Sequence, residues 1–588
     1  MNKKSLSVIC FQCFLILFFV FCLICCLDFS RGLIISLMEK IIGRKLQEMT
    51  KWNAVIIGSM SFFAFISASA YFFAFFRKGN ECVKAIVEKA REMFCSKNAL
   101  RYMVLIFIIF VVSYLALLMA HFDFQDDTKR IISGHKSWVG ASRYVSEILA
   151  VFLHANFYLN DIAPLTQIIA LIVMSFSSFF LAYALTDGKV TWISAVASTL
   201  LGTCPYFVQN MSFKFDSPYM ALSMLFAVIP FLFAENLFVF CATSFVCLIL
   251  VCSSYQAANS VYLLLAIFFA FRMVNEKKGF RKTVSFILSC ILCYAVSLAL
   301  FKLLIMIPTE ATIDERNTKI TGSMVFAVMR VNWIGYMRIA LKEFGNIWIK
   351  FFAALIACAF VFYGTVQSKL GKIVGFFLSS FTIVLMLCLS YGAYLAIGNP
   401  VFAARAFMGF DTLVAVSAVF VSAKAFSDRQ VRKILASSCI CALAWGFCVN
   451  ATVAGNAFYK QQKYADFRLT ILLGDLGEFV NKGEKSECLI SGITGAPAST
   501  NMDWKNYKIN FGSYSAGWMS YILQEWNMDL DFVSIESNKD IFGNKPELKE
   551  KVSSLPLLVD NYYHSIYGNN NFFYVVLKNP QVEKYETE

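Results

Sequence analysis

Three aspartates, Asp123, Asp126 and Asp127, sit in the stretch HFDFQDDTKR (His121–Arg130), directly after the apolar run RYMVLIFIIFVVSYLALLMA that ends at Ala120. Ionisable groups at the mouth of a membrane span are costly, which makes them functional candidates. Burial raises the pKa of such a carboxylate, while Lys129 and Arg130 favour its charged form, and a carboxylate within reach of a hydroxyl can act as a general base. The bland alternative is a solvated loop end balanced by its own cations.

Four further stretches carry compatible chemistry. SWVGASRYVSEILAVFLHANFYLN (Ser137–Asn160) places Trp138, Tyr144, Ile148, Leu149, Phe152 and Phe157 near one side at helical spacing, with Arg143 and Glu147 elsewhere. This predicts a helix lying in the membrane interface, or else a short helix packed on the bundle. SFKFDSPYM (Ser212–Met220) supplies Lys214 and Asp216, SSYQAANS (Ser253–Ser260) supplies Tyr255 and Gln256, and GNPVFAARAFMGF (Gly398–Phe410) supplies Arg405. A phosphate leaving group calls for cations in a partly dry site, and Arg130, Arg143, Lys214 and Arg405 are the candidates. Each has a plainer reading. Lys214 can simply pair with Asp216, Arg405 can be a snorkelling anchor, and Tyr255 with Gln256 can mark an aromatic belt. His121, His135 and His154 show no metal spacing, and the 19 cysteines fall almost entirely inside apolar runs, as packing residues do.

The elements that must position these residues are membrane helices. The chain of 588 residues is 59% hydrophobic and 15% charged, with 61 Phe, which excludes a soluble globular protein. Apolar runs near 6–27, 54–76, 101–120, 162–186, 190–208, 218–234, 237–253, 257–273, 283–307, 348–365, 373–395, 409–424 and 434–454 predict a bundle of about thirteen helices. Basic residues cluster between alternate pairs: Arg77, Lys78, Lys84, Lys89, Arg91 and Lys97; Arg272, Lys277, Lys278, Arg281 and Lys282; Lys369 and Lys372; Lys424, Arg429, Arg432 and Lys433. The positive-inside rule makes that side cytoplasmic, with the N-terminus inside and the C-terminus outside. HFDFQDDTKR, SFKFDSPYM, SSYQAANS, GNPVFAARAFMGF and the long loop Pro308–Arg338 then share the outer face. From Gly455 onward acidic residues outnumber basic ones although the whole chain carries +14, so the basic excess belongs to the inner membrane surface and not to a nucleic-acid interface.

An acidic pair at the outer end of an early membrane helix, followed by an amphipathic W-x-x-x-x-R-Y segment, resembles the multi-spanning GT-C glycosyltransferases. More narrowly, the DD loop, the FDSP loop, the YQA motif and the outward C-terminal part look like the GtrII-type serotype-converting glucosyltransferases. The resemblance runs from about Arg101 to the C-terminus and leaves residues 1–100, a helix pair with a basic cytoplasmic loop, outside it. It implies a multi-pass enzyme of the bacterial cytoplasmic membrane. Such an enzyme moves a sugar, usually glucose, from an undecaprenyl-phosphate carrier to O-antigen or a related surface glycan, with inversion. It implies Asp126 or Asp127 as the base, Asp216 as a second acid, Arg130, Arg143, Lys214 and Arg405 at the donor phosphate, and Tyr255 and Gln256 at sugar hydroxyls. No cofactor is expected; enzymes of this kind use a divalent ion or none, and no metal ligand set is assigned.

Residues 101–454 are the expected catalytic core and 455–588 an extracytoplasmic α/β domain. Helices are expected around Tyr464–Asn481 and Gly517–Trp526, and strands in SECLISGI, MDLDFVSI and NNFFYVVL. Trp504, Tyr507, Tyr514, Trp518, Tyr521 and Trp526 are candidates to stack on the acceptor glycan. The rival functions are a flippase or transporter of lipid-linked sugars and an O-antigen polymerase or ligase. A transporter tends to show internal repeats and midplane charges, and the sequence shows neither.

Overall fold

A computed structural model describes residues 15–20, 22, 49–96, 98–306, 324–426, 428–480, 486–500, 523, 530–535, 546–569 and 571–579. The chain enters as α1 (Met49–Phe75), turns into α2 (Arg77–Phe94) and rises through α3 (Ala99–Met119). Two short helices follow, α4 (Asp126–Ser133) and α5 (Tyr144–Leu153), before α6 (Leu165–Leu185) and α7 (Trp192–Thr203). After α8 (Phe207–Ser212) come α9 (Ser217–Val228), α10 (Leu237–Ser254), α11 (Asn259–Asn275) and α12 (Phe280–Leu300). The bundle closes with α13 (Val325–Glu343), α14 (Ile347–Val366), α15 (Lys372–Leu389), α16 (Met408–Phe426) and α17 (Gln430–Gly477).

Among the described residues ten helices are long and apolar enough to cross a membrane, so the protein is a polytopic membrane protein. The expected runs at 190–208 and 218–234 are shorter than a full span: α7 has 12 residues behind a Thr191–Ser194 capping box, and α9 passes into a 3-10 turn at Ile229. Both are packed inside the bundle, where protein and not lipid surrounds them. Of the first expected run, residues 15–20 and 22 are described, and they are helical.

Polar contacts gather the loops into two ends. Arg272 pairs with Asp187 at 3.0 Å, Asn275 donates to the Gly364 carbonyl at 3.0 Å, and Lys424 lies 3.6 Å from Glu276. These hold the loop after α6 and the basic loops after α11, α14 and α16 together at one end. The acidic stretch before α4 and the loops before α9, α11 and α16 meet at the opposite end. The expected loop Pro308–Arg338 is a helix from Val325 onward, because VFAVMRVNWIGYMR has apolar residues at helical spacing; residues 307–323 lie outside the described residues.

The last helix differs most from expectation. The span near 434–454 and the helix near Tyr464–Asn481 are one element, α17, of 48 residues, running unbroken across Gly455. Gly455 allows its close approach to α3: a Cβ there would lie 2.3 Å from the Leu117 nitrogen. Beyond it α17 packs Leu469, Leu472 and Leu476 on a five-stranded sheet of order β2-β1-β5-β4-β3. The strands are β1 (Ser486–Gly492), β2 (Leu530–Ile535), β3 (Leu557–Asp560), β4 (His564–Asn569) and β5 (Phe572–Leu577), with a short helix, α18 (Pro546–Ser553), between β2 and β3. β1 runs parallel to β2 and β5, while β3, β4 and β5 are antiparallel. Three strands were expected; the β3–β4 hairpin was not. The expected helix near Gly517–Trp526 and the six candidate stacking aromatics lie outside the described residues, apart from Leu523.

Candidate functional site

The acidic pair does not close a membrane helix; it opens α4. α3 stops at Met119, and Gln125, at φ 51° and ψ −102°, turns the chain into the new helix. That backbone state costs a non-glycine residue on the order of 1–3 kcal/mol and persists only where surrounding contacts impose it. Gly134, at φ 65°, ends α4 after eight residues.

The two aspartates face opposite ways. Asp127 is wholly buried, and its Oδ2 accepts hydrogen bonds from the backbone N–H of Phe124 at 3.2 Å and of Lys214 at 3.0 Å. It thereby ties the α3–α4 loop to the FDSP loop. Burial pushes its carboxyl well above the usual range, against the Lys214 N–H and the Arg130 charge, and its buried Oδ1 has no hydrogen-bond partner among the described residues. Asp126 is exposed and makes no ion pair among the described residues.

Asp216 and Arg130 form a buried ion pair, with Trp138 donating its indole N–H to Asp216 at 2.5 Å and its ring lying 4.6 Å beneath the guanidinium. Desolvation acts to raise the Asp216 pKa, but the Arg130 charge and the two hydrogen bonds together hold it below the ordinary value. Trp138 is expected on one side of a single helix, either lying in the interface or packed on the bundle. The segment instead makes a 3-10 turn, Trp138–Ala141, then α5, because Ser137 and Ser142 both take left-handed backbone and break the helix. Phe152 and Phe157 remain exposed on this segment, as a membrane-facing surface would be.

Lys214 does not pair with its neighbour Asp216. Its Nζ lies 2.5 Å from Asp123 and 3.3 Å from Asp161, whose charges outweigh desolvation and raise its pKa. Two of the four expected phosphate-binding cations are therefore already neutralised by carboxylates.

Arg143 and Arg405 are not: among the described residues neither makes an ion pair. Arg143 donates Nε to Gln256 Oε1 at 3.1 Å, and Gln256 in turn donates to the Ala141 carbonyl at 2.9 Å. The Arg143 guanidinium also stacks on the Tyr255 ring at 4.7 Å, while Arg405 meets the Tyr255 hydroxyl. Arg405 also donates to Gln125 Oε1 at 3.1 Å, and its backbone N–H to Gln209 Oε1 at 2.7 Å.

The two arginines line two clefts. One, of about 270 Å³, has Gln125, Gln209, Glu343, Asn450 and Arg405 on aromatic walls that include Phe124 and Phe458. The other, of about 350 Å³, presents Arg143, Gln256, Asn259 and Lys302 beside apolar Leu298, Phe301 and Met306 at the end of α12. Tyr255 stands between the two arginines. Asn259 was missed from the sequence. It accepts from the Tyr294 hydroxyl at 2.6 Å and the Ala393 N–H at 3.0 Å, and so fixes the wall of the second cleft. Among the described residues no group of three or more His, Cys, Asp or Glu side chains is placed to hold a metal ion.

The family model for glucosyl transferase GtrII matches residues 115–422, just over half of the chain. Neither the curated proteins nor the solved structures give a match.

Proposed function

Because the chain belongs to the GtrII glucosyl transferase family, we propose that this membrane glucosyltransferase takes glucose from undecaprenyl phosphate and inverts the anomeric centre in transfer to O-antigen or a related surface glycan. The supporting observation is the division of charge at the site. Arg130 and Lys214 are neutralised and hold loops together, whereas Arg143, Arg405 and Asp126 carry charges that no ion pair cancels among the described residues.

In this reading the cleft of Arg143 and Lys302 takes the donor phosphate, with the prenyl chain leaving over Leu298, Phe301 and Met306. The cleft of Gln125, Gln209 and Arg405 takes the acceptor sugar. Asp126 removes the acceptor hydroxyl proton, the acceptor oxygen bonds to C1, and the C1–O bond to phosphate breaks with its electron pair staying on the phosphate. Arg143 and Lys302 meet that charge, so the proposal calls on no cofactor. Asp216 acts through Arg130 and Trp138, keeping α4 in place. Of the aspartate pair, between which the resemblance leaves the base open, the exposure of Asp126 supports that residue. The reading places the site on the outer face of the bacterial cytoplasmic membrane, with the N-terminus inside and the sheet domain outside near the acceptor.

The test is surface-glycan mass spectrometry in cells carrying each variant, with membrane insertion checked in parallel. Asp126→Asn should remove the hexose increment while Asp127→Asn, which keeps a carbonyl acceptor for the two N–H groups, should retain part of it. Full activity in Asp126→Asn would sink the base assignment. Altered glycan chain length with no increment would instead favour a polymerase.

A further inference from the structure

We propose that α2, which precedes the family-matched region, is an in-plane helix seated in an anionic phospholipid leaflet, with Arg77, Lys84 and Arg91 reading the headgroups. Its sequence, RKGNECVKAIVEKAREMF, divides into four faces at 100° per residue. Val83, Val87, Ala90 and Phe94 recur at i, i+4, i+7 and i+11 and form one apolar stripe. Val83, Val87 and Phe94 are exposed, and so is Phe76 at the helix start. Cys82 and Met93 face the bundle instead, Cys82 packing with Phe233 and Val239 at the α9–α10 turn.

Three of the five basic residues of α2 follow an apolar one by a single position: Arg77 after Phe76, Lys84 after Val83, Arg91 after Ala90. The three therefore line up at seven-residue intervals along one edge of the stripe, and all are exposed. Glu81, Glu88 and Glu92 lie further round; Arg77 is 3.4 Å from Glu81. Apolar surface, then cations, then acids is the order from acyl chains through anionic headgroups to water.

Placement agrees with pattern. α2 starts at the inner end of α1, where Gly79 fits under the Phe72 carbonyl. It ends beside α6, with Lys89 over the Tyr183 ring at 5.0 Å and Phe94 edge-on to Phe176 and Phe180. Its exposed stripe thus continues the lipid-facing perimeter of the bundle.

The experiment places a benzophenone photo-crosslinking amino acid at Val87 or at Glu88 in the full-length protein, in nanodiscs of mixed phosphatidylglycerol and phosphatidylcholine. Val87 should yield phospholipid adducts and Glu88 few. Adducts should be enriched several-fold in phosphatidylglycerol over the bulk ratio, and Arg77→Gln/Lys84→Gln/Arg91→Gln should return them to that ratio. Three results would overturn the proposal: equal yields at the two positions, unchanged enrichment in the triple variant, or a protein–protein crosslink at Val87, which would make a second copy the occupant.

Discussion

Arg130 and Asp216, 86 positions apart in the chain, form one buried ion pair against the Trp138 ring. The pair joins α4 to the start of α9. Removing one partner of such a pair leaves an uncompensated buried charge, at a cost of about 3–5 kcal/mol.

Arg130→Met should therefore lower the thermal unfolding temperature in detergent sharply, and Arg130→Met/Asp216→Leu should recover part of the loss. A double variant no more stable than Arg130→Met would show that the pair is not what holds this corner.

Arg143 and Arg405 should separate kinetically. On the proposed reading Arg143→Gln removes a cation from the leaving group and should lower kcat by roughly 10²–10³, the scale of a lost charge-stabilising donor. Arg405→Gln should chiefly raise KM for the acceptor. Assay of purified protein with a lipid-linked donor, varying each substrate in turn, distinguishes them; equal losses in kcat would place both arginines on the donor.

Gly455→Leu should disrupt the α3–α17 contact, since the new Cβ alone would stand 2.3 Å from the Leu117 nitrogen and backbone cannot yield cheaply. The expected readout is loss of folded protein on size exclusion in detergent, while Gly474→Leu, where nothing among the described residues lies within 4 Å, should behave as wild type.

The sheet domain should lose stability in mild acid. His564 is buried, and desolvation lowers its pKa below 6.5 despite Asp475, with Arg468 and Lys578 adding to the lowering. A group depressed in the folded state contributes stability above its unfolded pKa, and the contribution falls as pH drops through the folded value. Differential scanning fluorimetry of the full chain should show a decline below about pH 6.5, flattened in His564→Gln, which keeps an amide to meet Asp475.

Most of the spans and three of the five strands were legible because hydropathy and strand pattern are local properties. The DD pair was legible as chemistry but not as orientation. The buried Asp127 is held by the Lys214 backbone N–H, 87 positions away. Lys214 itself looked like a partner for Asp216 only because they are neighbours in sequence; in space Asp123 and Asp161 hold it. Trp138 read as an apolar anchor since nothing local reveals that its N–H meets Asp216. The β3–β4 hairpin escaped because LLVDNYYHSIYGN interrupts its short apolar runs with polar residues.

α17 continues from the bundle into the sheet domain without a hinge, and at about 1.5 Å per residue its 48 residues extend some 70 Å. The domain is therefore geared to the membrane. One residue inserted between Lys460 and Lys463 would swing the whole sheet by about 100° around the stalk and raise it by about 1.5 Å, re-aiming it relative to the clefts below with no side chain of either part altered.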